Sequence, residues 1–152
     1  MSDKFETISQ LTDHFVKTAE KFIGAHEGGP QHSLLLAVYN ANKPAGEYTM
    51  TKTDPWCAAF IGGVSACAGT MKSVPLSAHC GRLESALKKC GAVRVINPQN
   101  GDIALFDWNG DGKYDDHAGI VSEVGEHTVR TIEGNKNDSV NYREFSIRST
   151  PV

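Results

Sequence analysis

The sequence predicts an α+β domain in which N-terminal helices pack on a C-terminal antiparallel sheet. Two observations carry this. As far as residue 90 the apolar residues recur at helical spacing, and from residue 92 they fall in short strand-like runs separated by turn residues. A third observation bounds the size. The 152 residues suffice for one hydrophobic core, and no repeat, low-complexity tract or linker divides them, so residues 1–152 read as one domain.

The elements follow in order. Phe5, Ile8, Leu11, Phe15, Ala19, Phe22 and Ile23 mark an amphipathic helix over about residues 4–25, which Gly28-Gly29-Pro30 stops or turns into a loop. "SLLLAVYN", residues 33–40, predicts a second short helix, and the polar stretch 41–53 with Pro44 and Gly46 predicts a loop. Asp54 reads as an N-cap and Pro55 as the first residue of a third helix running through "WCAAFIGGVSACAG". Gly62 and Gly63 each cost that helix about 1 kcal/mol relative to alanine, so a close backbone approach and a central, buried position are expected. Cys57, Phe60, Val64 and Cys67 lie along one stripe of it. A fourth helix over about 78–90 carries Cys80, Leu83, Leu87 and Cys90 at matching spacing and ends at Gly91. "VRVI", "DIALF", "HAGIVSEV", "HTVRTIE" and "VNYREFSI" predict strands.

Composition excludes several classes. Hydrophobic content of 39% and charged content of 22% describe an ordinary globular protein. A net charge of -3 argues against a nucleic-acid binder. No apolar run is long enough to span a membrane, and "MSDKFETISQ" lacks the apolar core of a signal peptide. The chain is expected to be made in the cytoplasm, or exported without a cleaved signal. Cys57, Cys67, Cys80 and Cys90 contain no C-x-x-C pair, which removes zinc-ribbon and thioredoxin-like readings, and reduced thiols are expected.

Cys57 stands in the first turn of its predicted helix, where unpaired N–H groups favour a thiolate. A base and a group to orient that base complete such a site. His117 opens the strand "HAGIVSEV", and Glu133 and Asn135 close the next one in "TIEGN". With Gly125-Glu126-His127 as a three-residue loop, position 124 pairs with 128, Ile120 meets Ile132, Gly119 meets Glu133 and His117 meets Asn135. His117, Glu133 and Asn135 then share a face, and Gly119 leaves room for the imidazole. A two-residue loop puts His117 on the other face. Cys67, Cys80 and Cys90 read as inert, buried thiols.

The run "DPWCAAF", then "NGDIALFDWNGDGKYDDHAGIV", then "TIEGN", with a middle helix after "SAHC", resembles the CHAP family of cysteine- and histidine-dependent amidohydrolases and peptidases. The resemblance spans residues 20–147. It implies a papain-like cysteine hydrolase fold of the NlpC type, with Cys57 as nucleophile, His117 as base, and Glu133 and Asn135 completing the site. Trp56 is expected to wall the substrate cleft. The implied reaction is cleavage of an amide in the peptide stems of peptidoglycan, by an N-acetylmuramoyl-L-alanine amidase or a crossbridge endopeptidase. No wall-binding domain is recognisable, so the expected settings are a phage endolysin released by a holin, or an antibacterial effector paired with an immunity protein. Either would be a monomer acting at the wall or in the periplasm. The rival readings are a non-hydrolytic calcium- or wall-binding module of this fold, and a hydrolase of a non-wall amide.

Two possible metal sites remain. His26-Glu27 and His32 are spaced too widely, across Gly-Gly-Pro, to share a helical face, so zinc is not expected there. "DWNGDGKYDD" places Asp107, Asn109, Asp111, the Lys113 carbonyl and Asp115 at the early positions of an EF-hand-type loop, which makes Ca2+ a candidate ligand. The terminal bidentate glutamate is replaced by Ala118, and the competing reading is a tight polar turn. His14, His79 and His127 read as surface or turn residues.

Overall fold

Residues 8–147 are described in the computed structural model. Four helices, α1 (Ile8–Glu20), α2 (Pro30–Asn42), α3 (Cys57–Ala68) and α4 (Cys80–Lys89), precede four strands, β1 (Ile103–Phe106), β2 (His117–Val124), β3 (Thr128–Lys136) and β4 (Ser139–Ser146). The strands form one antiparallel sheet in the order β1-β2-β3-β4. The α+β architecture stands as predicted. No helix among the described residues is long and apolar enough to cross a membrane.

The central element is α3, which touches α1, α2, α4, β2 and β3 and is buried over most of its length. Its glycines explain the close packing. A Cβ on Gly62 would lie 2.9 Å from Leu76 Cγ and 3.0 Å from Tyr39 Cδ2, and one on Gly63 would lie 2.9 Å from Leu35 Cδ2. One face of the sheet, with Ala118, Ile120, Ile132 and Val140, joins the main core under α3. The other face holds a smaller cluster of Ala104, Phe106, Val121 and Val129.

Several boundaries differ from the sequence-based expectation, each for a tertiary reason. Of the predicted first helix, residues 4–7 lie outside the described residues, and the helix ends at Glu20. Gly24 takes a φ of 90° and the chain turns onto the β4 edge, with Gly24 N–H donating to the Val140 carbonyl and Val140 N–H to that of Ala25. This pairing covers an otherwise open strand edge. Pro30 starts α2, at a position where a missing N–H costs nothing.

Asp54 does not cap α3. It closes the preceding turn, accepting the Thr51 N–H at 2.7 Å and the Thr51 hydroxyl at 2.9 Å, and Trp56 is the N-cap. "VRVI" forms no strand, because it finds no strand to pair with, and Val93, Val95 and Ile96 stay exposed. Cys67, next to last in α3, and Cys90, the C-cap of α4, are also exposed rather than buried.

The β2–β3 register is partly as predicted. Ile120 pairs with Ile132, but Val124 pairs with Val129 rather than with 128. The turn is one residue longer, and a bulge between Val121 and Glu123 takes up the difference. Asn137 and Asp138, both at positive φ, make the two-residue turn into β4.

Candidate active site

Trp56 is the N-cap of α3 and makes Cys57 the first helical residue. Its indole is wholly buried, donates from Nε1 to Glu27 Oε1 at 3.2 Å, and packs 4.6 Å from the buried ring of His32. Trp56 therefore cannot wall an open cleft, and its place is beneath the helix start, where it anchors the Cys57 backbone. His32 accepts the Gly28 N–H at Nδ1, which ties the loop before α2 to the same anchor. The first turn of α3 has no side-chain cap, so its positive end faces the Cys57 sulfur.

His117, the first residue of β2, pairs with Phe106 and stands close enough to the Cys57 thiol for each to shift the other's protonation. Behind it Glu133 is fully buried, with Oε2 at 3.4 Å from His117 Nε2, an ion-pair distance whose angle falls outside hydrogen-bond geometry. The space left by Gly119 serves Glu133 rather than the imidazole, since a Cβ there would sit 2.9 Å from Glu133 Cγ. Asn135 does not join His117. It adopts a φ of 59°, breaks the strand alternation beside the β3–β4 irregularity, and makes no hydrogen bond to the ring.

Electrostatics follow from this packing. The hydrogen bond from Cys80, then the bond and charge of His117 and the Ala58 N–H, pull the Cys57 thiol down to about 5 against the effect of burial. Burial opposes a charged His117, yet the Cys57 sulfur and the Glu133 carboxylate beside it outweigh this and raise it to about 9. Between those values the pair is thiolate and imidazolium, a nucleophile with a proton donor beside it.

Four residues of the site were not found from the sequence. Arg143 on β4 donates from Nε to both Glu133 oxygens at 2.9 and 2.8 Å, and Thr131 adds its hydroxyl at 3.2 Å. A buried glutamate calls for such a counter-charge, but the β3 irregularity decides which arginine supplies it. Trp108 stacks on His117 at 4.9 Å with its ring half exposed, and the Arg143 guanidinium lies 5.0 Å from its centroid. Trp108, not Trp56, is the exposed aromatic beside the imidazole. Cys80, read as an inert thiol, is the first residue of α4 and brings its sulfur 3.3 Å from that of Cys57. The signal available was its position just after a predicted helix start, the same setting as Cys57.

Arg143→Ala leaves the Glu133 carboxylate buried with only Thr131 and His117. A loss of about 2–3 kcal/mol is expected, less than for a fully buried pair because Arg143 is partly exposed and water can replace it. Urea denaturation measures this, and an unchanged midpoint would show that Arg143 does not support Glu133.

The acidic loop closes on itself. Asp107 accepts the N–H groups of Gly110, Asp111 and Gly112, Asn109 Oδ1 accepts that of Asp111, and Asp111 accepts that of Lys113. Among the described residues no group of three or more His, Cys, Asp or Glu is arranged to hold a metal ion. With these oxygens turned to the backbone and Ala118 in the last position, the donor set fits calcium poorly and fits a polar turn well. His26, His79 and His127 are exposed, and His26 shares no metal cluster with His32.

A thiol at a helix start, an imidazole at a strand start and a buried carboxylate behind it make the arrangement used by cysteine–histidine hydrolases as a class. The family model for the CHAP domain matches residues 48–135, more than half of the chain, and the chain belongs to that family. CHAP domains are in general cysteine- and histidine-dependent amidohydrolases or peptidases. Neither the curated proteins nor the solved structures compared with the chain give a match.

Proposed function

We propose that this protein is a peptidoglycan hydrolase that cuts an amide bond in the peptide stems by acyl transfer through Cys57, on a papain-like fold. The observation that carries the proposal is the Cys57–His117 pair at the α3 N-terminus, backed by buried Glu133. Membership of the CHAP family supports the choice of wall substrate.

In this mechanism the Cys57 thiolate attacks the carbonyl carbon. The negative oxygen that develops is met by the Cys57 backbone N–H, in the unpaired first turn of α3. The His117 imidazolium protonates the departing amine, leaving a thioester and a neutral ring. Neutral His117 then takes a proton from water, which attacks the thioester and frees Cys57. Glu133 keeps the imidazole in place, with Arg143 holding Glu133 from the far side. Trp108, stacked on His117 and half exposed, is the proposed cleft wall. The bond cut is that of an amidase or of a crossbridge endopeptidase. The setting is a monomeric phage endolysin released by a holin, or a delivered effector with an immunity partner.

The sign of the pH dependence follows from the pair. Activity should rise as Cys57 loses its proton near pH 5 and fall as His117 loses its proton near pH 9. Initial rates on wall fragments against pH measure this. A profile that rises only above the ordinary thiol range, about 8.5, would show that the two groups are not paired.

The direct test digests purified Gram-negative and Gram-positive peptidoglycan, with and without a calcium chelator, and identifies products by mass spectrometry. Fragments that depend on Cys57 identify the bond. Absence of fragments from either wall would overturn the proposal in favour of a binding module or a non-wall amide. Loss of activity with chelator alone would show a dependence on a divalent metal that this mechanism does not include.

A further inference from the structure

We propose that Cys57 and Cys80 form a reversible disulfide, with Cys80 as the resolving thiol of a peroxide-driven latch on the candidate nucleophile. Their sulfurs lie 3.3 Å apart in the free-thiol form. A disulfide bond is about 2.05 Å, so closing the latch asks each sulfur to move by well under about 1 Å. Both residues are the first of their helices, and neither helix has a side-chain cap. Two positive helix ends therefore converge on one sulfur pair, and whichever sulfur is ionised is favoured there. Asp115 packs against Gly81 at the same point, so the loop before β2 holds the start of α4 in place.

No other thiol is placed to compete. Cys67 and Cys90 lie ten residues further along the same helices, about 15 Å away at the helical rise, and both are exposed. In the hydrolytic mechanism Cys80 only hydrogen-bonds the Cys57 sulfur and makes or breaks no bond itself, yet it sits buried against that sulfur. Its hydrogen bond to Cys57, together with burial, holds its own thiol well above the ordinary range, so the negative charge rests on Cys57.

Cys57 thiolate attacks one oxygen of hydrogen peroxide. The O–O bond breaks, a Cys57 sulfenic acid forms, and hydroxide leaves. The Cys80 thiol then gives its proton to that hydroxide and attacks the Cys57 sulfur. The S–O bond breaks and the sulfenic oxygen departs as hydroxide, which takes up a solvent proton to become water. Two thiols are oxidised by two electrons and the peroxide is reduced to two waters. A sulfur held in the disulfide cannot attack a carbonyl, so the enzyme works only when reduced. That consequence rests on the hydrolase proposal, whereas the disulfide itself does not.

The test uses the full chain carrying Cys67→Ser and Cys90→Ser, treated with hydrogen peroxide and then with dithiothreitol. Intact mass should fall by about 2 Da, non-reducing peptide mapping should show a Cys57–Cys80 link, and dithiothreitol should reverse both. Wall cleavage should drop at least tenfold on oxidation and return on reduction. With Cys80→Ser or Cys80→Ala added, Cys57 should instead gain about 32 Da as the sulfinic acid, which dithiothreitol does not restore. Gain of oxygen at Cys57 in the parent without a link would overturn the latch, as would equal recovery in the Cys80 variants. The link map on the parent stands even if a Cys80 variant fails to fold. A reversible link in a protein whose reduced form cuts no wall would uphold the latch and overturn the hydrolase proposal.

Discussion

Cys57→Ala is expected to lower wall cleavage by about 10⁴-fold or more while leaving the fold intact. Removing the attacking atom of an acyl-transfer site forfeits covalent catalysis entirely and leaves only substrate binding and oxyanion stabilisation. Alanine is the best helix former, and the change deletes one sulfur at the first position of α3, so the helix itself should not suffer. A second readout separates chemistry from folding. His117 is raised to about 9 by Cys57 and Glu133 against the pull of burial. Without Cys57 the bond and charge on that side are gone and burial remains, so the imidazole must titrate lower. NMR titration of His117 should show the fall in a protein with unchanged circular dichroism. A Cys57→Ala protein that still releases fragments from the wall would sink the mechanism.

Gly134→Ala should give the largest loss of stability from a single methyl group. Gly134 lies on β3 where α3 crosses it. A Cβ there would sit 2.7 Å from Phe60 Cγ and 3.1 Å from Trp56 Cε3. Both aromatic rings are fully buried and cannot swing aside, so α3 must lift from the sheet. Overpacking of this kind costs about 3 kcal/mol, which for a chain of this size lowers Tm by roughly 6–12 °C. The same shift moves Trp56, the N-cap on which Cys57 is mounted, so activity should fall even where the protein remains folded. Scanning calorimetry with rates at a temperature below both transitions tests this. An unchanged Tm would mean that the approach of α3 to β3 is looser than described.

Much of this was legible along the chain. Helical spacing followed by strand-like runs identifies the α+β order, and paired glycines in an apolar helix point to a buried α3. Cys57, His117 and Glu133 were selected by residue type and by their places at the ends of elements, and the structure brings these three together. The Ile120–Ile132 pairing was also predicted, although the turn length used to reach it was wrong and a bulge restored the register. Asn135 was assigned by alternation, which its left-handed backbone breaks.

What the sequence by itself determined is therefore periodic: which residues lie on which element, and which sit at helix and strand ends. Tertiary structure alone decided that Trp56 is buried beneath Cys57 while Trp108 stands on His117. It also decided that Arg143 holds Glu133 and that the α4 start meets the α3 start, sulfur to sulfur. The physical reason is that residue spacing reports only the rotation and rise of one element. The contact between Cys57 and Cys80 depends on how a non-periodic connection swings one helix against another, and on the packing that holds it there.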